Sequence, residues 1–146
     1  MEIERKFTIN KLPDLTEYEV REIVQGYLCT DPVVRVRKDG DRYYMTYKGK
    51  GFLAREEHNL PLTKDGYEHM ITKSDGIIIK KKRYLIPYLS HTIELDIFED
   101  DLAPLIIAEV EFDTLEEANA FVKPDWFEDD VTEDPSYANA NLSKRK

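Results

Sequence analysis

The sequence predicts a mainly β, α+β fold: eight antiparallel strands closed into a barrel, or tunnel, with a charged lumen and short helices packed outside. Three observations predict it. Period-two runs recur along the whole chain, separated by turn signals. Within those runs charged residues keep to one face and apolar residues to the other. Between them lie short amphipathic patterns whose apolar stripes suit the outside of a barrel.

Glu2–Phe7 alternates as a short strand that Leu12-Pro13-Asp14 interrupts. Thr16 and Glu19 have capping-box spacing, and Val20, Ile23 and Val24 recur at helical spacing, which predicts a helix over 17–24. Gln25–Cys29 and Val33–Lys38 are β-rich, and Asp39-Gly40 is a hairpin signal returning through Arg42–Lys48. Gly49-Lys50-Gly51 turns the chain into an extended run from Phe52 to Leu60. Thr63 opens a second helical pattern, with Tyr67, Met70 and Ile71 on one face, ending near Gly76. Ile77–Leu85 reads as a strand turned by Pro87, followed by strands His91–Phe98 and Leu105–Asp113. Thr114 and Glu117 form another capping box, before a helix carrying Leu115, Ala118, Phe121 and Val122. Trp126-Phe127 is placed against the barrel, and Asp134-Pro135 starts a last short helix through Tyr137. No repeat, low-complexity segment or linker interrupts this pattern, so residues 1–146 are expected to form a single domain.

Composition narrows the function. The chain has 21 Lys+Arg against 30 Asp+Glu, a net charge of −9, which argues against a nucleic-acid partner held by general basicity. Cys29 is the one cysteine, so neither a disulfide nor a Cys-rich zinc site is available. The longest apolar runs are a few residues, such as Ile77-Ile78-Ile79, which predicts no membrane span. The acidic start, Met-Glu-Ile-Glu, is unlike a signal peptide, so a cytoplasmic location is expected. The charge is unevenly spread: residues 1–93 hold 17 basic and 14 acidic residues, residues 94–146 four basic and 16 acidic. The acidic half also carries Ile93, Leu95, Ile97, Ile107, Val110 and Phe112, so it reads as folded rather than as an acidic tail.

The strand faces are the informative signal. Glu2, Glu4 and Lys6 share a face; so do Arg35 and Arg37, Lys81 and Arg83, Glu94 and Asp96, and Glu109 and Glu111. Lys48 lies with Tyr44 and Thr46, and Arg55 with Glu57. Taken singly, each such face is what a solvated outer surface looks like. Taken together, they are doublets of one charge type rather than mixtures with Ser, Thr and Gln, and the apolar faces match helices that could cover them. The expected arrangement is therefore an inverted barrel. Its acids come from the first, seventh and eighth strands, and its bases mostly from the middle ones. Carboxylates in a cluster suit a hard divalent cation, Mg²⁺ or Mn²⁺. Clustered Arg and Lys suit phosphate.

Several ordered motifs carry a family resemblance: Glu2-x-Glu4-x-Lys6, Gln25-Gly26-Tyr27, Arg35-Val36-Arg37, Thr46-x-Lys48-Gly49, Arg55-Glu56-Glu57, Lys81-Lys82-Arg83, Glu94-Leu95-Asp96 and Glu109-Val110-Glu111. In this order the chain resembles the triphosphate tunnel metalloenzyme (CYTH) superfamily over nearly its whole length, and its size is similar to the small tripolyphosphatase members. The resemblance implies hydrolysis of inorganic tripolyphosphate to pyrophosphate and phosphate by in-line attack of water. It implies phosphate contacts from Lys6, Arg35, Arg37, Lys48, Arg55, Lys81 and Arg83. The metal set is Glu2, Glu4, Asp96, Glu109 and Glu111, with two Mg²⁺ or Mn²⁺ ions, and Glu4, Glu57, Asp96 and Lys6 are the catalytic candidates. Lys80 and Lys82 lie on the other parity and are excluded.

Other functions stay open at this point. Adenylate cyclase, or nucleoside or thiamine triphosphatase activity, would need an organic-group pocket that no motif marks. A non-catalytic polyphosphate-binding module would need the bases but no carboxylates. The expected partner is a small triphosphate, with no nucleic acid and no membrane, and the oligomeric state is open. Gly49-Lys50-Gly51 reads as a hairpin turn rather than a phosphate loop. His58, His69 and His91 lack metal spacing, and Cys29 reads as a small core residue. Tyr137 and Lys144 reach the lumen only if the C-terminus folds back over it.

Overall fold

A computed structural model describes residues 1–144. Ten strands form one antiparallel sheet: β1 (Glu2–Ile9), β2 (Glu19–Thr30), β3 (Val33–Asp39), β4 (Arg42–Lys48), β5 (Ala54–Arg55), β6 (Glu57–Pro61), β7 (Asp75–Tyr88), β8 (His91–Phe98), β9 (Ile106–Glu111) and β10 (Phe127–Asp130). The helices are α1 (Lys64–Ile71), α2 (Leu115–Ala120) and α3 (Asn139–Leu142). The strand order is β10-β1-β9-β8-β7-β2-β3-β4-β6, and β5 returns to pair β1. The segment Ala54–Pro61 therefore touches both ends of the sheet, β1 through β5 and β4 through β6. That contact nearly closes the sheet into the expected barrel.

Several elements differ from expectation. Residues 17–24 are not helical, because β2 begins at Glu19. Val20, Ile23 and Val24 sit at helical spacing by coincidence, and as β-branched residues they favour the strand. In β2 they split between faces, with Ile23 1% exposed and Val20 46% exposed. Thr16 is not in a capping box; its N–H and hydroxyl both donate to Asp14 Oδ1. The extended run 52–60 breaks into β5 and β6 at Glu56. β7 runs through Pro87, which costs no ladder bond there because β2 pairing has ended at Leu85. α1 stops at Ile71, short of Gly76, and α2 stops at Ala120. Phe121 turns back into the core, while Val122 stays 71% exposed. The expected final helix is a 3-10 turn, Pro135–Tyr137, started by Asp134, whose carboxylate accepts from Ser136 N–H. β10 and α3 had no clear sequence signal.

Two caps are as expected: Thr63 Oγ1 accepts from Gly66 N–H at 3.0 Å, and Thr114 Oγ1 from Glu117 N–H at 3.1 Å. α2 and the segment that follows it, through Phe127, cover the outer face of β1, β9 and β8. There Phe7, Ile93, Leu95, Val110, Phe121 and Phe127 pack together, with the Phe7 and Phe127 rings 4.7 Å apart. Each such buried side chain contributes about 1.5–3 kcal/mol. α1 covers β2, β3 and β4, burying Val36 and setting Tyr67 5.2 Å from the Tyr43 ring. Gly26 faces this helix end so closely that a Cβ would sit 2.8 Å from Ser74.

A second apolar cluster lies across one end of the lumen. Val33, Ile79, Phe98 and Ile107 continue the parities of Arg35, Lys81, Asp96 and Glu109, and Leu142 of α3 packs on them. The C-terminal segment thus folds back and plugs the barrel, with Ser143 O accepting from Ile77 N–H at 2.7 Å. No helix among the described residues is long and apolar enough to cross a membrane.

Candidate active site

Inside the barrel is a cavity of about 300 Å³, within the size range of small-ligand sites. Its wall follows from strand parity. The acids of β1, β9 and β8 face the bases of β2, β3 and β4, because those two sets of strands are contiguous in the sheet. Of the 14 residues placed in the lumen by parity, 12 line the cavity: Glu2, Glu4, Lys6, Arg35, Arg37 and Lys48, then Arg55, Glu57, Arg83, Glu94, Glu109 and Glu111. Lys81 and Asp96 do not. Both are fully enclosed, at 0% exposure, just behind the wall.

One part of the cavity is internally paired. Arg83 donates to Asp96 through two nitrogens, at 2.8 and 2.9 Å, and to Glu109 at 3.0 Å. Lys81 Nζ lies 2.7 Å from Asp96. Burial opposes these charges, but Asp96 and Glu94 hold Arg83 well above its usual pKa. Likewise burial opposes Asp96 and Glu109, yet Arg83 and Lys81 keep Asp96 low, and Lys6 and Arg83 keep Glu109 low. Lys81 is pushed down to about 8 by burial, against the pull of Asp96. Lys6, 3.8 Å from Glu4 and 3.7 Å from Glu109, is raised because those two carboxylates outweigh its burial. Lys48 bridges Glu2 at 2.9 Å and Glu57 at 3.5 Å. Burial raises Glu57, but Lys48, the contact with Glu2, Arg35 and the hydrogen bond from Asn59 together lower it.

Two poles keep unmatched charge among the described residues: Arg35 with Arg37 at one, Glu111 at the other. Arg35 and Arg37 have no carboxylate within ion-pair distance among the described residues. Arg35 donates to Thr46 Oγ1 at 3.0 Å and leaves Nε without a partner; Arg37 donates to Gln25 Oε1 at 2.8 Å and to Tyr44 OH at 3.3 Å. Burial, then Arg37, lowers the pKa of Arg35. At the other pole, carboxylate oxygens of Glu2, Glu4 and Glu111 lie within 4.8 Å of one another. Burial and Glu109 raise Glu4. Glu111 is exposed at the rim, but its carboxyl turns inward, and partial burial with Glu94, Glu2 and Glu4 pushes it up to about 8. Oxygens sharing one Mg²⁺ at 2.0–2.1 Å stand at most about 4.2 Å apart, so a small side-chain adjustment would make this cluster a ligand set. The donors are all carboxylate oxygen, and each is crowded by like charge. They fit a hard divalent cation.

A family model for the CYTH domain matches residues 1–137. The chain belongs to the CYTH family. Among CYTH relatives, an inorganic triphosphatase of Nitrosomonas europaea is 38% identical over 147 residues, covering 97% of this chain and 96% of that protein. An inorganic triphosphatase of Acetivibrio thermocellus is 36% identical over 153 residues, covering 98% of this chain and 93% of that protein. The crystal structure of the inorganic triphosphatase NE1496 superposes with a TM-score of 0.74 at 35% identity, covering 100% of this chain and 96% of that one. The barrel with a charged lumen expected from strand parity is thus the fold shared with a protein related over nearly its full length.

Parity reasoning missed some wall residues of this CYTH cavity. Arg21 lines it at one mouth with Asp39 and Arg42, and was hidden by the apparent helix over 17–24. Tyr27, Asn59 and Tyr44 lie on lumen parities but carry no charge to mark them. Asn139 falls in the C-terminal part of the family resemblance but had no strand parity or charge to mark it as a wall residue. From the folded-back C-terminus its Oδ1 accepts from Lys81 at 3.1 Å and from Gln25 at 3.3 Å. Tyr137 packs against the apolar plug rather than in the wall, and Lys144 is exposed. Cys29 is half-buried beside a β2 bulge; His58 is exposed and His91 packs on Phe112.

Proposed function

We propose that this chain is a divalent-metal-dependent inorganic triphosphatase, acting on tripolyphosphate as a single domain spanning residues 1–146. The observation that carries the reading is the pair of unmatched poles. Buried Arg35 and Arg37 lack an anion; opposite them Glu111 has no cationic partner among the described residues, and Glu2 and Glu4 beside it reach only Lys48, Arg55 and Lys6. One metal-bearing polyphosphate satisfies both. Two Mg²⁺ or Mn²⁺ ions would carry +4, close to the charge of a triphosphate. The names of the two curated relatives point to the same substrate.

The reaction breaks one P–O–P bond and forms one P–O bond to water, giving pyrophosphate and phosphate. A bound divalent cation supplies Lewis acidity and lowers the pKa of water. The chain supplies position and charge. Arg35, Arg37, Arg55, Arg83 and Lys48 line the wall as phosphate donors, each charge-assisted contact contributing about 1.5–3 kcal/mol. Lys6, held cationic by Glu109 and Glu4, reaches the phosphate beside the metal cluster. Glu57, held ionised by Lys48 and its other neighbours, is suited to orient the attacking water by accepting a hydrogen bond from it. Asp96 and Lys81 act from behind the wall, Asp96 by fixing the Arg83 fork.

Among the described residues, the apolar side chains lining the cavity wall are Val33, Ala140 and the Tyr27 and Tyr44 rings. That supports an inorganic substrate over a nucleotide or thiamine ester, which would need an apolar slot. A metal-independent polyphosphate-binding module is disfavoured by the acidic pole, which would repel a bare polyanion. The test is phosphate release from tripolyphosphate, ATP and pyrophosphate in Mg²⁺ or Mn²⁺, with and without chelator. Release from tripolyphosphate, abolished by chelator, is expected. Cyclic AMP from ATP, or tight triphosphate binding with no turnover in either metal, would replace this reading.

A further inference from the structure

β1 carries Glu4 and Lys6, yet its seam is incomplete there. On one side β9 pairs it continuously from Glu4 to Phe7. On the other side the partner changes. β5 holds Glu2 and Ile3, and β10 holds Phe7 and Ile9. Between them lies a gap bridged by isolated bonds. Glu4 N–H donates to Leu53 O at 3.0 Å, and Val131 N–H donates to Lys6 O at 2.9 Å. Lys6 N–H finds no strand carbonyl; it donates to the side-chain hydroxyl of Thr132 at 3.0 Å. A hydroxyl thus takes the place of a ladder acceptor beside a cavity cation.

That hydroxyl is itself held. Thr132 is 7% exposed, and its O–H donates to Asp130 Oδ1, which also accepts from Thr132 N–H at 2.9 Å. Asp130 Oδ2 accepts from Arg5 at 2.9 and 3.2 Å, and Arg5 in turn donates to Ala118 O at 2.9 Å. The donor position of the hydroxyl is used by Asp130, so its lone pairs point at Lys6 N–H. Because side chains alternate along a strand, any slack in the backbone at Lys6 moves Glu4 and Lys6 relative to Glu109.

We propose that Thr132, oriented by Asp130, is a positioning residue: it closes the barrel seam at Lys6 and fixes the aim of Glu4 and Lys6 into the cavity. The kinetic part of this inference rests on the triphosphatase reading; the structural part does not. Thr132→Val keeps the shape and removes the hydroxyl, Thr132→Ser keeps the hydroxyl, and Asp130→Asn keeps an acceptor for Thr132 while removing the ion pair to Arg5. Amide hydrogen exchange at Lys6 and steady-state hydrolysis of tripolyphosphate with Mn²⁺ are measured in all three. In Thr132→Val the Lys6 amide is expected to exchange about tenfold faster and kcat to fall about tenfold, the factor for a buried N–H left without its acceptor. Exchange at Val36 of β3, several strands away and outside the Phe7 cluster, is expected to stay as in wild type. Thr132→Ser should restore both readouts, and Asp130→Asn should lose less than threefold in either, since an exposed ion pair contributes little. If Thr132→Val does not fold, Thr132→Ala replaces it, with the same outcomes expected. Wild-type exchange at Lys6 in the hydroxyl-free variant would overturn the proposal. So would normal kcat with fast exchange, or equal effects from Asp130→Asn. A wild-type protein without triphosphatase activity would sink the functional reading and leave the exchange result to decide the seam.

Discussion

Asp96 offers the sharpest separation of structural from metal-binding roles. Its carboxylate is completely enclosed and takes Arg83 at 2.8 and 2.9 Å and Lys81 at 2.7 Å. Asp96→Asn keeps the shape and removes the charge, leaving two buried cations with less compensation. Breaking a buried ion pair in this way costs about 3–5 kcal/mol. For a domain of this size each kcal/mol shifts Tm by about 2–4 °C, so a fall of about 12 °C is expected. Calorimetric or circular-dichroism melting, run in chelator and again with Mn²⁺, measures it. The loss should be present in chelator, where no metal role can contribute. Adding Lys81→Met should recover part of it by removing the surplus cation. A melting point in chelator within about 2 °C of wild type would refute the reasoning, because Asp96 would then matter only when metal binds.

Glu111 sets a pH dependence. Its pKa is raised to about 8, so the stability that its protonated form contributes is present at low pH and lost as pH rises through about 8. The metal-free protein should therefore melt lower at pH 8.5 than at pH 6, by an amount screened by the rim position of Glu111, and Mn²⁺ should raise Tm more at pH 8.5. A metal-induced shift that shrinks with rising pH would contradict this. Arg35 sits buried without a counter-charge, so Arg35→Met should leave Tm in chelator unchanged or higher while kcat/KM for tripolyphosphate falls about 10- to 100-fold. A large loss of stability with normal turnover would place Arg35 in the scaffold instead.

Much of the site was legible because the strand repeat is local. Arg35 and Arg37, or Glu109 and Glu111, declare a common face by spacing alone, and that parity brought 12 of 14 residues to one cavity. Where local spacing was ambiguous it misled. Val20, Ile23 and Val24 satisfy a helical stripe, and only pairing of β2 with both β3 and β7 decides for the strand, which exposes Arg21 to the cavity. Uncharged wall residues such as Tyr44 and Asn139 gave no composition signal, since Tyr and Asn at such positions read equally well as packing or surface.

What the sequence by itself determined was the face each side chain takes and the charge each face carries. The depth of each residue, and its partner, were decided only by the tertiary structure. Barrel closure brings Lys48 to Glu2 at 2.9 Å across 46 residues of chain, and seals Asp96 and Lys81 behind the wall while Glu111 reaches the rim. The same closure lets the C-terminal segment plug the apolar end of the lumen, making a tunnel into a cavity. The physical reason is that parity depends on one strand's own backbone, whereas height and partner depend on the register of all the strands at once.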